Sequence, residues 1–276
     1  MLDSYALSQD VGLCIEGLDV SEELPDETVR ALRRLLHTHG LLLFRDQQID
    51  EAQQARLAQC FGRFSRQGPV QKTSQAVTYV SNTRVDGTFG KGELLFHSDQ
   101  CYFAHPMKAI MLYGVEVARK GGHTLFTHTS RVLDRLPPST VQALRQCQVR
   151  HQFHYGDVDY GREVDGQVDK LTVSHVHPAI APHPWSDQEI VMISQATATE
   201  LIGVPPARSR ALIDEVNQAL ADPDHVYEHH WQERDLVIWD NLLLQHARPD
   251  FDPSERRTLR RCALAHDLEP VPFDQP

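Results

Sequence analysis

The stretch Leu94-Leu95-Phe96-His97-Ser98-Asp99-Gln100-Cys101-Tyr102 constrains this chain more than any other. Its apolar and aromatic flanks suit a β-strand, and side chains two apart on a strand share a face. His97 and Asp99 are therefore expected to project together, an imidazole nitrogen beside a carboxylate oxygen. Two His and one carboxylate on one side of a metal, with the other positions open, suit non-haem Fe(II). One His-x-Asp is a weak signal alone and needs a second His from far away. The segment Asp235 to Arg248 supplies it: an apolar run, a polar turn at Asp240-Asn241 and a second apolar run deliver His246. Arg261 follows beyond a loop through Pro249, Asp250 and Pro253, so two antiparallel strands are expected to put His246 and Arg261 in one pocket. An Arg fork holds a carboxylate bidentately, which a Lys cannot do.

Further stretches join these in order: Leu41-Leu42-Leu43-Phe44-Arg45-Asp46-Gln47, Ala58-Gln59-Cys60-Phe61-Gly62, Gly121-Gly122-His123-Thr124-Leu125-Phe126, Ile238-Trp239-Asp240-Asn241, Gln245-His246 and Arg257-Thr258-Leu259-Arg260-Arg261. Together with Phe96-His97-Ser98-Asp99 they resemble the taurine dioxygenase (TauD/TfdA) family of Fe(II)- and 2-oxoglutarate-dependent oxygenases. The resemblance runs from about Val11 to Leu268. It implies one domain over residues 1–276, mainly β with peripheral helices, built on a double-stranded β-helix of the jelly-roll, cupin-like kind. It also implies that His97, Asp99 and His246 hold Fe(II). 2-Oxoglutarate then chelates the metal, with Arg261 and Thr124 on its far carboxylate and Arg257 as a second cationic contact nearer the metal-bound one. With O2 as the other co-substrate, decarboxylation to succinate and CO2 is coupled to C–H hydroxylation, leading in some members to C–S or C–O cleavage or to desaturation. In related halogenases a small residue replaces the carboxylate, so Asp99 favours hydroxylation.

For the substrate, a small organic molecule, Glu93, Asn82, Gln67 and His154 are the expected contacts. The residues that grip the sulfonate in taurine-cleaving members find no match around Ser65-Arg66-Gln67-Gly68-Pro69, and the amide four residues before His97 is Glu93 here. Glu93 suits an amine instead, as in an amino acid or a specialised metabolite. Two other classes compete. The same pair of histidines and aspartate holding Zn2+ would be a hydrolase, and the barrel without turnover would be a metal or 2-oxoglutarate sensor. The hydrolase leaves Arg261 and Thr124 without a task, and intact metal ligands beside an intact keto-acid pocket argue against the sensor.

A chain of 276 residues with 41% hydrophobic and 24% charged residues has the make-up of an ordinary globular protein. Its net charge of −11 argues against a nucleic-acid surface. Five widely spaced cysteines without Cys-x-x-Cys argue against a disulfide framework and for a reducing cytoplasm. Met1 to Val20 shows no signal pattern, and no apolar run is long enough to cross a bilayer. A homo-oligomer is compatible with all of this.

Along the chain, Val11 to Val20 and Leu41 to Phe44 read as strands. Asp26 caps a helix carrying Val29, Leu32 and Leu36 that ends near Gly40, and Asp50 caps another that Gly62 closes. Strands are expected at Thr78–Asn82, Lys108–Val117, from Val149 and at Glu189–Ile193. Helices are expected at Ser130–Leu136, Ser139–Cys147 with Ser139 as cap, and Pro206–Leu220. The glycine-bearing segments 83–93 and 156–170 are candidate lids. His151, His154, His175, His177 and His183 form a rival cluster, read first as structural or substrate-contacting and second as a metal site.

Overall fold

The computed structural model describes residues 2–66, 76–157 and 170–268. The strands are β1 (Ser4–Ala6), β2 (Leu13–Ile15), β3 (Leu41–Phe44), β4 (Thr78–Ser81), β5 (Gly87–Thr88), β6 (Leu94–His97), β7 (Ala109–Glu116), β8 (Thr124–His128), β9 (Gln148–His154), β10 (Thr172–Pro178), β11 (Ile180–Pro182), β12 (Glu189–Val191), β13 (Ala198–Leu201), β14 (Tyr227–His229), β15 (Leu236–Asp240), β16 (Leu244–Arg248) and β17 (Thr258–Leu264). The helices are α1 (Asp26–His39), α2 (Glu51–Gln59), α3 (Pro138–Leu144) and α4 (Pro206–Leu220).

The large sheet has eight strands in the order β1-β2-β3-β15-β7-β17-β4-β5, and a four-stranded sheet runs β14-β8-β16-β6. Strand alternation assigns the faces of the large sheet. Leu41, Leu43, Ile110, Leu112, Val237, Trp239, Leu259 and Ala263 share one buried cluster with Phe126 and Leu244 of the smaller sheet. Their neighbours Leu42, Phe44, Met111, Ile238, Cys262 and Leu264 pack the other face against Leu32 and Leu36 of α1 and Leu57 of α2. Strands covered on both faces read as continuous apolar runs, as Leu41–Phe44 does. The result is the double-stranded β-helix: a two-sheet sandwich with helices outside the large sheet.

Helix α1 ends as expected, with Gly40 left-handed at φ 76° and its N–H on the Leu36 carbonyl. Asp50 caps α2 in a reciprocal pair with Gln53, but the helix stops at Gln59 with Cys60 as its C-cap, so Gly62 does not close it. Ser139 does not cap α3, which starts one residue earlier at Pro138; a first-turn Pro gives up an N–H that has no helical partner anyway. The helix expected at Ser130–Leu136 is a single 3-10 turn, Arg131–Asp134, and the strand expected at Val11–Val20 is only Leu13–Ile15. Pro206–Leu220 forms as read, burying Leu212, Ile213, Val216 and Leu220.

The largest difference concerns β16 and β17. They do not pair as a hairpin: β16 pairs with β6 and β8, and β17 with β4 and β7. The loop between them crosses from the small sheet to the large one. His246 and Arg261 still reach one cavity, because they face each other across the sandwich. Among the described residues no helix is long and apolar enough to cross a membrane.

Candidate active site

Pairing of β16 with β6 sets His246 opposite His97. Asp99 lies in the turn just beyond β6, not on the strand, and Gln100 after it is left-handed at φ 63°. The turn still returns the carboxylate to the imidazoles. His97 Nε2 is 3.2 Å and His246 Nε2 3.9 Å from Asp99 Oδ1, and the three ligand atoms lie within 4.8 Å of one another. His97 Nδ1 donates to the Leu95 carbonyl at 2.7 Å, which leaves Nε2 as the metal-facing nitrogen. The Trp239 ring packs on His246 with centroids 4.8 Å apart.

Asn241 has a part in the site that its sequence context did not announce. Its fully buried side chain accepts from the Asp99 N–H at 2.8 Å and donates to the carbonyls of Asp99 at 3.0 Å and Met107 at 2.9 Å. The amide thus clamps the main chain of the ligand turn. In the sequence it stood only as half of a polar turn and as the end of the Ile238–Asn241 stretch that shares the family resemblance.

Burial alone would keep Asp99 neutral, but the hydrogen bond from His97 and the charge of Arg261 outweigh it and hold the carboxyl well below its ordinary pKa. Burial, then the neighbouring His97, push His246 down to about 3, so it is a neutral ligand at pH 7. His97 is also penalised by burial, yet the Asp99 carboxylate wins and its pKa is raised. The donor set is two imidazoles and one carboxylate, all oriented before a metal arrives.

Arg261 Nη2 donates to Asp99 Oδ2 at 2.7 Å, leaving Oδ1 facing the histidines. Arg257 is different. It is 3% exposed, its Nε donates to the Gly122 carbonyl at 2.8 Å, and it makes no ion pair among the described residues. Burial, then repulsion from Arg248, lower its pKa to about 9. Thr124 begins β8 two residues after Gly122, with its hydroxyl accepting from Trp231 Nε1 at 3.0 Å. Its own proton remains to be donated. Arg257 is thus tied to the segment that carries Thr124, while Arg261 is engaged with Asp99.

These groups line a cavity of about 500 Å³. One wall is aromatic: Tyr102 stacks on Phe153 at 4.6 Å, Tyr155 meets Phe153 edge-on at 4.9 Å, and Phe89 packs against them. Phe89 sits on a loop held from below by Arg248, which donates to the carbonyls of Phe89, Lys91 (3.0 Å) and Gly92 (2.6 Å). Gly90 of that loop backs onto β4 so closely that a Cβ would lie 2.3 Å from the Ser81 carbonyl oxygen.

Of the expected substrate contacts, Glu93 and His154 line the cavity. Asn82 is not part of its lining; its amide accepts from Arg257 N at 2.9 Å and donates to Glu255 O at 2.7 Å. Gln67 and most of the 156–170 segment lie outside the described residues. The rival histidines do not gather as one ligand set. His151 meets Thr197 Oγ1 at 2.8 Å, His177 Nε2 faces the carbonyls of Cys101 and Phe103 at 2.9 and 3.0 Å, and His183 lies against Asp240.

The chain is similar to known proteins over nearly its whole length. The model of the family "Taurine catabolism dioxygenase TauD, TfdA family" matches residues 3–263. The chain is 28% identical to an alpha-ketoglutarate-dependent 2,4-dichlorophenoxyacetate dioxygenase of Cupriavidus pinatubonensis, over 92% of this chain and 94% of that one. It is 28% identical to a pentalenolactone F synthase of Streptomyces arenae, over 93% of each. A crystal structure of AAD-2 in complex with Mn(II) and N-oxalylglycine superposes with a TM-score of 0.84 at 24% identity, covering 96% of this chain and 98% of that one.

Proposed function

The chain belongs to the TauD, TfdA family of dioxygenases, and we propose that His97, Asp99 and His246 hold Fe(II) while Arg257 and Thr124 anchor the far carboxylate of 2-oxoglutarate. It is a 2-oxoglutarate-dependent dioxygenase that oxidises a small organic substrate. The far carboxylate thereby passes to Arg257 from Arg261, to which the family resemblance gave it, and Arg261 pairs with Asp99 instead. One observation carries the co-substrate assignment: Arg257 is a buried guanidinium without an acid partner among the described residues, facing the metal cavity. A buried charge is retained when something pairs with it. The far carboxylate of a keto acid is that partner, and the Thr124 hydroxyl supplies a second bond to it.

Fe(II), when bound, supplies the O2-activating chemistry that couples loss of CO2 from 2-oxoglutarate to substrate oxidation. The protein's own contributions are binding, orientation and exclusion of water. His246 presents a neutral Nε2, and His97 releases its proton to do the same. Arg261 neutralises Asp99 Oδ2, so that Oδ1 is the oxygen offered to the metal. Asn241 fixes the backbone of that ligand. The aromatic wall takes the apolar body of the substrate and aims a C–H bond at the metal, with the 83–93 segment as a lid pinned by Arg248. Glu93 lines this cavity, and its carboxylate would pair with an amine on the substrate; unchanged selectivity for amine-bearing substrates in Glu93→Gln would remove that idea. Five free cysteines suit the cytoplasm as its compartment.

The test is removal of a ligand. His97→Ala and His246→Ala should each lose metal and O2-dependent succinate formation together. Full activity in either variant overturns the assignment. Product formation without O2 would instead favour a hydrolase.

A further inference from the structure

A second set of two imidazoles and a carboxylate lies outside the active site. His37 at the end of α1, His183 just past β11 and Asp240 at the end of β15 place one ligand atom each within 4.8 Å of the others. Asp240 is fully buried. Its Oδ1 accepts the N–H groups of Leu242 at 3.0 Å and Leu243 at 3.1 Å, which turns Oδ2 toward the histidines. His37 Nδ1 hydrogen-bonds that oxygen at 2.7 Å, and His183 Nε2 lies 3.1 Å from it. Among the described residues no Lys or Arg pairs with this carboxylate. His183 Nδ1 is held by Ser186 Oγ at 2.8 Å, which orients the ring. Its Nε2 is buried and finds no hydrogen-bond geometry, though it is aimed at Asp240. His37 keeps 15% of its side chain exposed and gives the cluster a route to solvent.

We propose that His37, His183 and Asp240 form a second divalent-metal site, suited to Zn2+ with a water as fourth ligand. The donors are of the right chemistry, and a His fixed through its other nitrogen is the usual outer support of such a ligand. At zinc–ligand distances of about 2.0–2.2 Å, tetrahedral donors sit roughly 3.3 Å apart. His183 Nε2 is already near that separation, while His37, whose ring stacks on Trp185 at 5.5 Å, would have to shift a few tenths of an ångström away from Asp240 to reach it. The site touches catalysis through one turn: Asp240 would be a ligand of this metal, and Asn241 beside it clamps the main chain of Asp99. A metal here braces the turn that aims the active-site carboxylate.

Metal analysis after equilibrium dialysis against Zn2+ tests this. The wild-type chain should hold two equivalents, one in each triad. His97→Ala should hold one, and so should His37→Gln, a change at the exposed member that leaves the buried pair intact. One equivalent in the wild type that His97→Ala loses overturns the proposal. So does a second equivalent that persists in His37→Gln, because the extra ion then sits elsewhere.

Discussion

Replacing Arg257 with Met removes a buried charge while keeping most of its aliphatic volume. Without a bound anion that charge is costly. Burial brings its pKa down from the ordinary guanidinium range to about 9, and at about 1.4 kcal/mol per tenfold change this is several kcal/mol against the charged form. A bound carboxylate offsets the cost, so the charge works for binding and against the ligand-free fold. Losing one partner of a buried charge pair costs about 2–5 kcal/mol, which raises the dissociation constant of 2-oxoglutarate roughly thirtyfold to several-thousandfold. Calorimetric titration of the Mn(II)-loaded protein reads this without turnover. The same variant, free of ligand, should melt no lower than wild type. Unchanged affinity in Arg257→Met, with loss of binding in Arg261→Met, would refute the reasoning and return the anchor to Arg261.

Asn241→Ala removes the clamp on Asp99 and should weaken Fe(II) or Co(II) binding by about 10–100-fold, the scale for an outer support of a metal ligand; unchanged metal affinity would leave the clamp without a role. Trp231→Phe deletes one hydrogen bond to Thr124, and 2-oxoglutarate binding should fall by about 0.5–1.5 kcal/mol with metal binding intact. Arg248→Met frees the carbonyls of Phe89, Lys91 and Gly92, so amide hydrogen exchange should speed up in this loop and not in β6. His97 has a raised pKa and binds metal only when deprotonated, so apparent metal affinity should fall as pH drops below that pKa. An affinity that does not change with pH would contradict the assigned ligand.

Local pattern carried most of the elements. Helix α4 runs over Pro206–Leu220, as its apolar stripe indicates, and Gly40 stops α1 for the backbone reason that makes Gly common there. Strand parity also explains why Arg261 and not Arg260 reaches the cavity. Arg260 points to the helix side, where it donates to Gln54 Oε1 and the Ile49 carbonyl, each at 2.7 Å. What was not legible depends on which strands pair. A loop of ordinary length after β16 suggests a hairpin, yet in this architecture it crosses between sheets, because β16 is already paired on both edges by β6 and β8. The partners of Asp99, Thr124 and Asp240 come from Asn241, Trp231 and His37, far away in sequence. Nothing in the spacing of those residues announces the contact; only the closed sandwich does.

The central claim is that one cavity holds both a metal and a keto acid, and the visible spectrum of the anaerobic protein tests it most directly. Fe(II) alone should give no visible band. Adding 2-oxoglutarate should raise a metal-to-ligand charge-transfer band in the wild type and none in His246→Ala. No band in the wild type, with metal still bound, would contradict the account.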